Sequence, residues 1–311
     1  MRTISAAVVL LALCVLPSPV RGAYTYQLFD VSGSTQTTIY DINNSGAFVG
    51  IYSTGGSYNG YLYSGGNLIN VLVPGSYQSF PYGINERGDV VGQQLIDNPA
   101  GGNWWRPFVR YADGTYATLP DLPIAGVTFM GGEDINDAGD VVGTFFATGD
   151  MDGAGDGYLY HAGTYTIFPN VWPDDIRNDG VMVGTLPSYY AAVFTSLSDL
   201  TTFRVPDNAT RTIGYAINTA GNVGGTLVEG NEQGYVRYPD GRFEIINVPG
   251  QTRTLVMGLN DFGVVAGTYY DDQSPYLRNR GYLAIPSVPE PATLALIGIG
   301  LAGMHLSRRK Q

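Results

Sequence analysis

Asp41-Ile42-Asn43-Asn44-Ser45-Gly46-Ala47-Phe48-Val49-Gly50 decides the fold, because near-copies of it recur along nearly the whole chain. Ile84 to Gly92, Ile135 to Gly143, Ile176 to Gly184, Ile217 to Gly225 and Leu259 to Gly267 repeat the pattern. The first glycine of each copy stands at 46, 88, 139, 180, 221 and 263, so the spacings are 42, 51, 41, 41 and 42 residues. A period of about 40 residues is the mark of a repeat architecture.

Asn at the first turn position and Gly at the fourth predict a type I turn closed by a residue in the left-handed region. The Asn side chain can bond the backbone two residues on, and Gly takes positive φ without a clash. Each copy therefore reads as strand, tight turn, strand. The fourth carries Arg177 in place of Asn, which predicts the least well pinned turn. A second glycine, four residues after the first, lies within an apolar run such as Asp140-Val141-Val142-Gly143. Glycine weakens a strand unless something approaches closely, so its recurrence suggests close packing of one sheet on the next.

After each hairpin comes a variable stretch, then an aromatic strand such as Gly60-Tyr61-Leu62-Tyr63 or Gly234-Tyr235-Val236-Arg237-Tyr238. A turn and a fourth strand ending near proline follow, as in Asn70-Val71-Leu72-Val73-Pro74-Gly75. Almost no stretch between Ala23 and Pro286 keeps a 3.6-residue apolar period, which predicts an all-β chain. Four short strands in about 42 residues are one blade of a propeller. The sixth unit stops after its third strand, whereas Tyr24 to Gly33 aligns with the strand ending Val248-Pro249-Gly250. An N-terminal strand completing the last blade would close a six-bladed β-propeller and remove its exposed edge; an open β-solenoid is the alternative. Small residues in Tyr82-Gly83-Ile84, Tyr215-Ala216-Ile217 and Met257-Gly258-Leu259 suit the innermost strand, where blades crowd the axis.

The two ends read as targeting segments. Residues 1–22 form a secretory signal, with Arg2 as basic start, an apolar run from Ala6 to Leu16 and small residues before the cut. Bulky Leu13 argues against a lipoprotein reading at Cys14. The mature domain is placed at 23–286 and the tail at 287–311. Val288-Pro289-Glu290-Pro291 precedes an apolar run from Ala292 to Leu306 and a basic end with Arg308 and Arg309. That run of about 15 residues is shorter than the ~20 that span a bilayer comfortably, and the basic end should stay cytoplasmic.

This tail resembles the PEP-CTERM sorting signal that bacterial exosortases recognise and cleave, and the Ile-Asn-x-x-Gly-x-x-Val-Gly units resemble extracellular HAF-type repeats. The resemblance implies secretion, transient inner-membrane anchoring, processing near Pro289 to Pro291 with exosortase as partner, and residence at the surface or in the exopolysaccharide matrix of a Gram-negative bacterium. It implies architecture and address more than activity.

Composition excludes several chemistries. Without its two ends the chain keeps 11 basic groups, all arginine, against 26 or 27 acidic ones. Nucleic-acid binding, which needs a basic face, is disfavoured. Cys14 is the only cysteine and leaves with the signal, so no thiolate, disulfide or cysteine-ligated metal is available. With His305 in the tail, His161 is the single histidine of the domain. It precedes Ala162-Gly163 and reads as a solvated turn residue. A Schiff-base lysine and a histidine-cluster zinc site cannot be built.

Asp150, Asp152 and Asp156, in the loop between the second and third strands of blade three, have the oxygen spacing of a calcium loop. Ala154 and the lack of a following Glu depart from that pattern, so calcium is a candidate ligand and a glycine-aspartate turn the plainer expectation. Comparable loops carry Trp104 and Trp105, Tyr189 and Tyr190, and Tyr269 and Tyr270. Paired aromatics beside acidic groups hold sugar rings in many proteins, which defines a candidate binding face for polysaccharide or another surface protein; filling of gaps between blades is the alternative. The expectation is a non-enzymatic binding or matrix module. The alternative is a glycoside hydrolase or lyase, for which two facing carboxylates would suffice, although no pair stands out in the sequence.

Overall fold

The Asn-x-x-Gly segments make the hairpins that their residues require. Asn43 N–H donates to the Ala47 carbonyl at 2.9 Å and Gly46 N–H to the Asn43 carbonyl at 3.0 Å. Gly46 sits at φ +78°, and Asn43 Oδ1 accepts from the backbone of Ser45 and Ala47. Arg177 keeps the backbone bonds of the turn, but there the neighbouring Asp179 carboxylate accepts from Val181 N–H at 3.3 Å instead.

A computed structural model describes residues 24–99, 101–148, 155–206, 209–273 and 278–287. The signal segment and the sorting motif at Val288 to Pro291, Arg308 and Arg309 lie outside the described residues, as do Asp150 and Asp152. The inner strands are Gln36–Ile42, Gln78–Ile84, Val127–Ile135, Trp172–Ile176, Arg211–Ile217 and Thr254–Leu259. Second strands are Phe48–Thr54, Val90–Asp97, Val141–Ala147, Met182–Thr185, Val223–Glu229 and Val265–Asp271. Third strands are Ser57–Ser64, Asn103–Arg110, Asp156–His161, Ala191–Phe194, Asn231–Arg237 and Arg278–Pro286. The outer strands of the first five blades are Asn67–Val71, Tyr116–Thr118, Thr164–Phe168, Thr201–Phe203 and Phe243–Ile246.

These strands form six four-stranded antiparallel sheets, each in sequential order except the last, where Tyr24–Phe29 lies outside Arg278–Pro286. The protein is therefore a six-bladed β-propeller closed by its N-terminal strand. Phe29 on that strand meets Phe48 at 4.8 Å and Tyr63 at 5.1 Å in blade one, joining the two ends of the ring.

Core residues sit between successive blades. Val49, Leu62 and Val71 of blade one pack with Ile84, Val90 and Phe108 of blade two, and each such buried side chain contributes about 1.5–3 kcal/mol. The second glycine of the repeat differs from the expectation of sheet-on-sheet contact. A Cβ at Gly143 would overlap the Gly131 carbonyl of the same blade and lie 2.7 Å from Tyr158 Oη. That hydroxyl reaches across the glycine to donate to Gly131 O at 2.9 Å, and Tyr61, Tyr235 and Tyr282 make the equivalent bond. The sheets approach instead at the glycine opening the aromatic motif: a Cβ at Gly281 would lie 2.9 Å from Ile39 of the next blade.

The turn asparagines also tie blade to blade. Asn43 Nδ2 donates to Asn85 O, Asn85 Nδ2 to Asn136 O and Asn136 Nδ2 to Arg177 O. Asn218 Nδ2 then donates to Asn260 O, and Asn260 Nδ2 to Asn43 O at 3.2 Å. The ring of bonds is interrupted at blade four, where Arg177 replaces Asn. Replacing Asn43 by Ala should lower unfolding free energy by about 2 kcal/mol, since it leaves the buried Ala47 N–H without its acceptor and takes one of two donors from the Asn85 carbonyl, which keeps its bond from Gly88 N–H. Arg177→Ala should remove about 1 kcal/mol or less, and urea titration of both variants checks the contrast.

Candidate functional site

Each inner strand carries a β-bulge at the same place. The register shifts between Ile39 and Asp41, Pro81 and Gly83, Gly132 and Asp134, Pro173 and Asp175, Gly214 and Ala216, and Val256 and Gly258. A bulge re-aims the extra residue, so Tyr40, Tyr82, Glu133, Asp174, Tyr215 and Met257 line an axial cavity of about 110 Å³.

The next position holds aspartate in three blades and a small residue in the other three: Asp41, Gly83, Asp134, Asp175, Ala216 and Gly258. Gly83 has no room for a Cβ because Asp134 occupies that space, and a Cβ at Gly258 would stand 2.8 Å from Asp41 Cα. The aspartates bridge to the following blade, with Asp41 accepting from Ile84 N–H, Asp134 from Ile176 N–H and Asp175 from Ile217 N–H at 2.7 Å.

Five carboxylates thus face one narrow channel. Burial pushes Glu133 up to about 7. Asp41 is also raised to about 7, by burial first and then by the charge of Asp175. Asp174 is raised by burial and by Glu133 and Asp175. Asp134 and Asp175 are hydrogen-bonded to each other, and burial together with that bond keeps the proton on Asp134. At the turn end the channel opens into an acidic mouth where Glu86, Asp137 and Asp261 stand with Arg177. Glu86 accepts from Asn44 N–H, Asp137 from Glu86 N–H and Asp261 from Thr219 N–H. Aligning the repeats at the residue before each Ile or Leu exposes the channel acids, because three copies read Tyr-Asp, Glu-Asp and Asp-Asp there.

The opposite face, built from second-to-third strand loops and blade connections, carries the aromatics singled out in the sequence. Trp104 and Trp105 lie within the third strand of blade two, beyond the loop, and both are half-buried. The Arg106 guanidinium lies 3.2 Å from the Trp104 ring centroid, and Trp105 packs on Phe80 at 5.2 Å. Tyr269 is buried at 6 % exposure. Arg253 covers Tyr270 at 3.8 Å, Arg204 covers Tyr190 at 4.0 Å and Arg211 covers Tyr189 at 4.0 Å. Sequence pattern shows the rings without the arginines, which lie 2 to 22 residues from the ring they cover.

Asp156 is half-buried, and its Oδ1 accepts from Asn170 N–H at 2.9 Å. His161 is exposed but ends the third strand of blade three rather than standing in the turn after it, and its Nδ1 lies 2.6 Å from Asp140 Oδ1.

The chain is similar in fold to the luciferin-regenerating enzyme, at 11 % identity and a TM-score of 0.50, over 85 % of this chain and 96 % of that one. It is also similar to a puromycin-hydrolysing peptidase of Mycobacterium tuberculosis, at 10 % identity and a TM-score of 0.49, over 86 % of this chain and 55 % of that one. At such identities the likeness concerns the fold alone. No curated protein matches the chain in sequence. Residues 287–310 match the PEP-CTERM protein-sorting motif, which marks this propeller as an exosortase-sorted, secreted protein of the cell envelope.

Proposed function

We propose that the propeller is a non-enzymatic surface or matrix module that holds extracellular polysaccharide, or another surface protein, on its blade-joining face. The sorting tail supplies the address: after transient anchoring in the inner membrane and exosortase processing, the domain would stand where envelope polysaccharide is the abundant ligand. The resemblance of the repeats to HAF-type extracellular units agrees with that address.

The observation that carries the reading is the set of aromatic rings on one face, of which Trp104, Tyr189, Tyr190 and Tyr270 each have one side covered by an arginine, with Tyr189 still 40 % exposed. Aromatic faces and convergent polar groups are the ordinary means of holding a sugar ring. Affinity electrophoresis in gels containing the producing organism's exopolysaccharide tests it. Retardation without release of reducing ends is expected. Release of reducing ends would overturn the non-enzymatic reading and turn attention to the channel carboxylates Glu133, Asp134, Asp174 and Asp175.

A further inference from the structure

On the blade-joining face between blades four and five, two arginines stand without an acid among the described residues, Asp207 in the loop between them lying outside those residues. Arg204 and Arg211 form no ion pair among the described residues, whereas Arg106 pairs with Asp121 at 2.9 Å and Arg253 with Glu232 at 2.5 Å on the same face. Among the described residues, Nε of Arg204 and Nε of Arg211 are buried with no hydrogen-bond partner, a state they share with Nε of Arg177. The chain as a whole is strongly acidic, with a formal net charge of −11. Two arginines with no ion-pair partner among the described residues are therefore a local concentration of positive charge on an acidic chain.

Their placement is built. Leu186 N–H donates to Tyr190 O at 3.0 Å and Tyr189 N–H to Leu186 O at 2.8 Å, closing a tight loop. Tyr189 takes φ +59° there, a conformation that disfavours a residue with a Cβ and that collects at ligand-binding positions. Thr212 N–H donates to Tyr189 O at 3.0 Å, fastening the loop to the strand that begins at Arg211. Thr212 Oγ1 in turn accepts from Val205 N–H at 3.0 Å, which brings the Arg204 segment alongside. Arg204 Nη1 donates to the Ala209 carbonyl at 2.9 Å, holding that side chain across its own loop. Each guanidinium thus sits over a tyrosine ring, 4.0 Å from its centroid, before any ligand arrives.

A guanidinium stacked on an aromatic ring keeps its outward N–H edge for a planar anion, and arginine matches a carboxylate or sulfate with two parallel bonds. We propose that Tyr189, Tyr190, Arg204 and Arg211 form a subsite for the acidic groups of an anionic polysaccharide, the arginines taking the charge and the exposed Tyr189 ring an adjoining sugar face. This rests on the glycan reading and narrows it to acidic glycans. Carboxylate on uronic acids and sulfate esters present the same chemistry, and the test separates them.

The full chain in mild detergent is run through gels containing polygalacturonate, dextran sulfate or neutral dextran. Retardation by an anionic polymer and not by dextran is expected, weakening as salt screens the contact. Polygalacturonate alone would name carboxylate as the anion, and dextran sulfate alone would name sulfate. Arg204→Gln with Arg211→Gln should weaken retention by at least about tenfold, while Arg242→Gln, on an exposed pair with Asp240, should leave it unchanged. Competition of the wild-type protein by galacturonate and not by glucose supplies a readout that needs no variant to fold. Retardation by dextran equal to that by the acidic polymers would overturn the subsite and leave the glycan reading standing. Failure of every gel would overturn both. An unchanged double variant would move the anion contact elsewhere and sink this assignment.

Discussion

Gly143→Ala is expected to lower unfolding free energy by about 3 to 5 kcal/mol, more than overpacking at an ordinary core position. The added methyl would overlap the Gly131 carbonyl oxygen and crowd Tyr158 Cζ and Oη at 2.7 Å. A flexible side chain could yield, but a carbonyl held in the ladder between Gly131 and Thr144 cannot do so without parting two strands. Tyr158→Phe removes the crowding hydroxyl and leaves the carbonyl in place. The pair Gly143→Ala with Tyr158→Phe should therefore remain almost as unstable as Gly143→Ala alone. Thermal melts of the three variants decide it: full rescue by Phe would show that the hydroxyl, not the backbone, requires the glycine.

Replacing Glu133 by Gln and Asp174 by Asn should stabilise the protein at pH 8 and change it little near pH 4. Glu133 rises from 4.5 to about 7 in the folded state because burial disfavours its charge. A raised carboxyl contributes stability that is fully present below its unfolded value, near pH 4, and is lost as pH rises through about 7. For Glu133 alone the difference is about 3 kcal/mol at alkaline pH, or roughly 6 °C in melting temperature for a chain of this size. Asp41 adds a fall over the same window, and Asp174 shifts in the same direction. Asp199, held down to about 2 by Thr195 and Ser196, acts oppositely and withdraws its support only in strong acid. The wild-type melting temperature should thus be higher near pH 5 than at pH 8, and the double variant should flatten that slope. A wild type as stable at pH 8 as at pH 5, with no gain from the variant, would show that these carboxylates are not held against their charge.

The hairpins, the blade count and the closing strand were legible because each is written locally. Asn43 and Gly46 dictate their turn whatever surrounds them, the spacing of six such turns counts the blades, and Tyr24 to Phe29 fits the one strand that the last repeat lacks. The second glycine was legible as a close approach but not as to its partner. Whether Gly143 faces another sheet or the Gly131 carbonyl depends on how Tyr158 folds back over its own blade. The bridging role of Asn43 was hidden for the same reason, since its amide reaches Asn85, 42 residues away, only after two blades have docked.

Of the candidate sites, the aromatic pairs were visible as rings, but their partners were not. Arg211 lies 22 residues from Tyr189, and only the docking of blade four on blade five lays one on the other. The channel acids stand in three of the six repeats, one or two residues before the Ile, and a single Asp in one repeat carries no signal by itself. Six inner strands converging on one axis turn that position into a cluster. Local backbone preference and repeat spacing, which act over a few residues or a fixed period, determined the turns, the blades and the ring. What faces what across the axis and between blades was decided by tertiary structure alone, because burial, charge repulsion and cation–ring contact arise only when segments distant in the chain share one space.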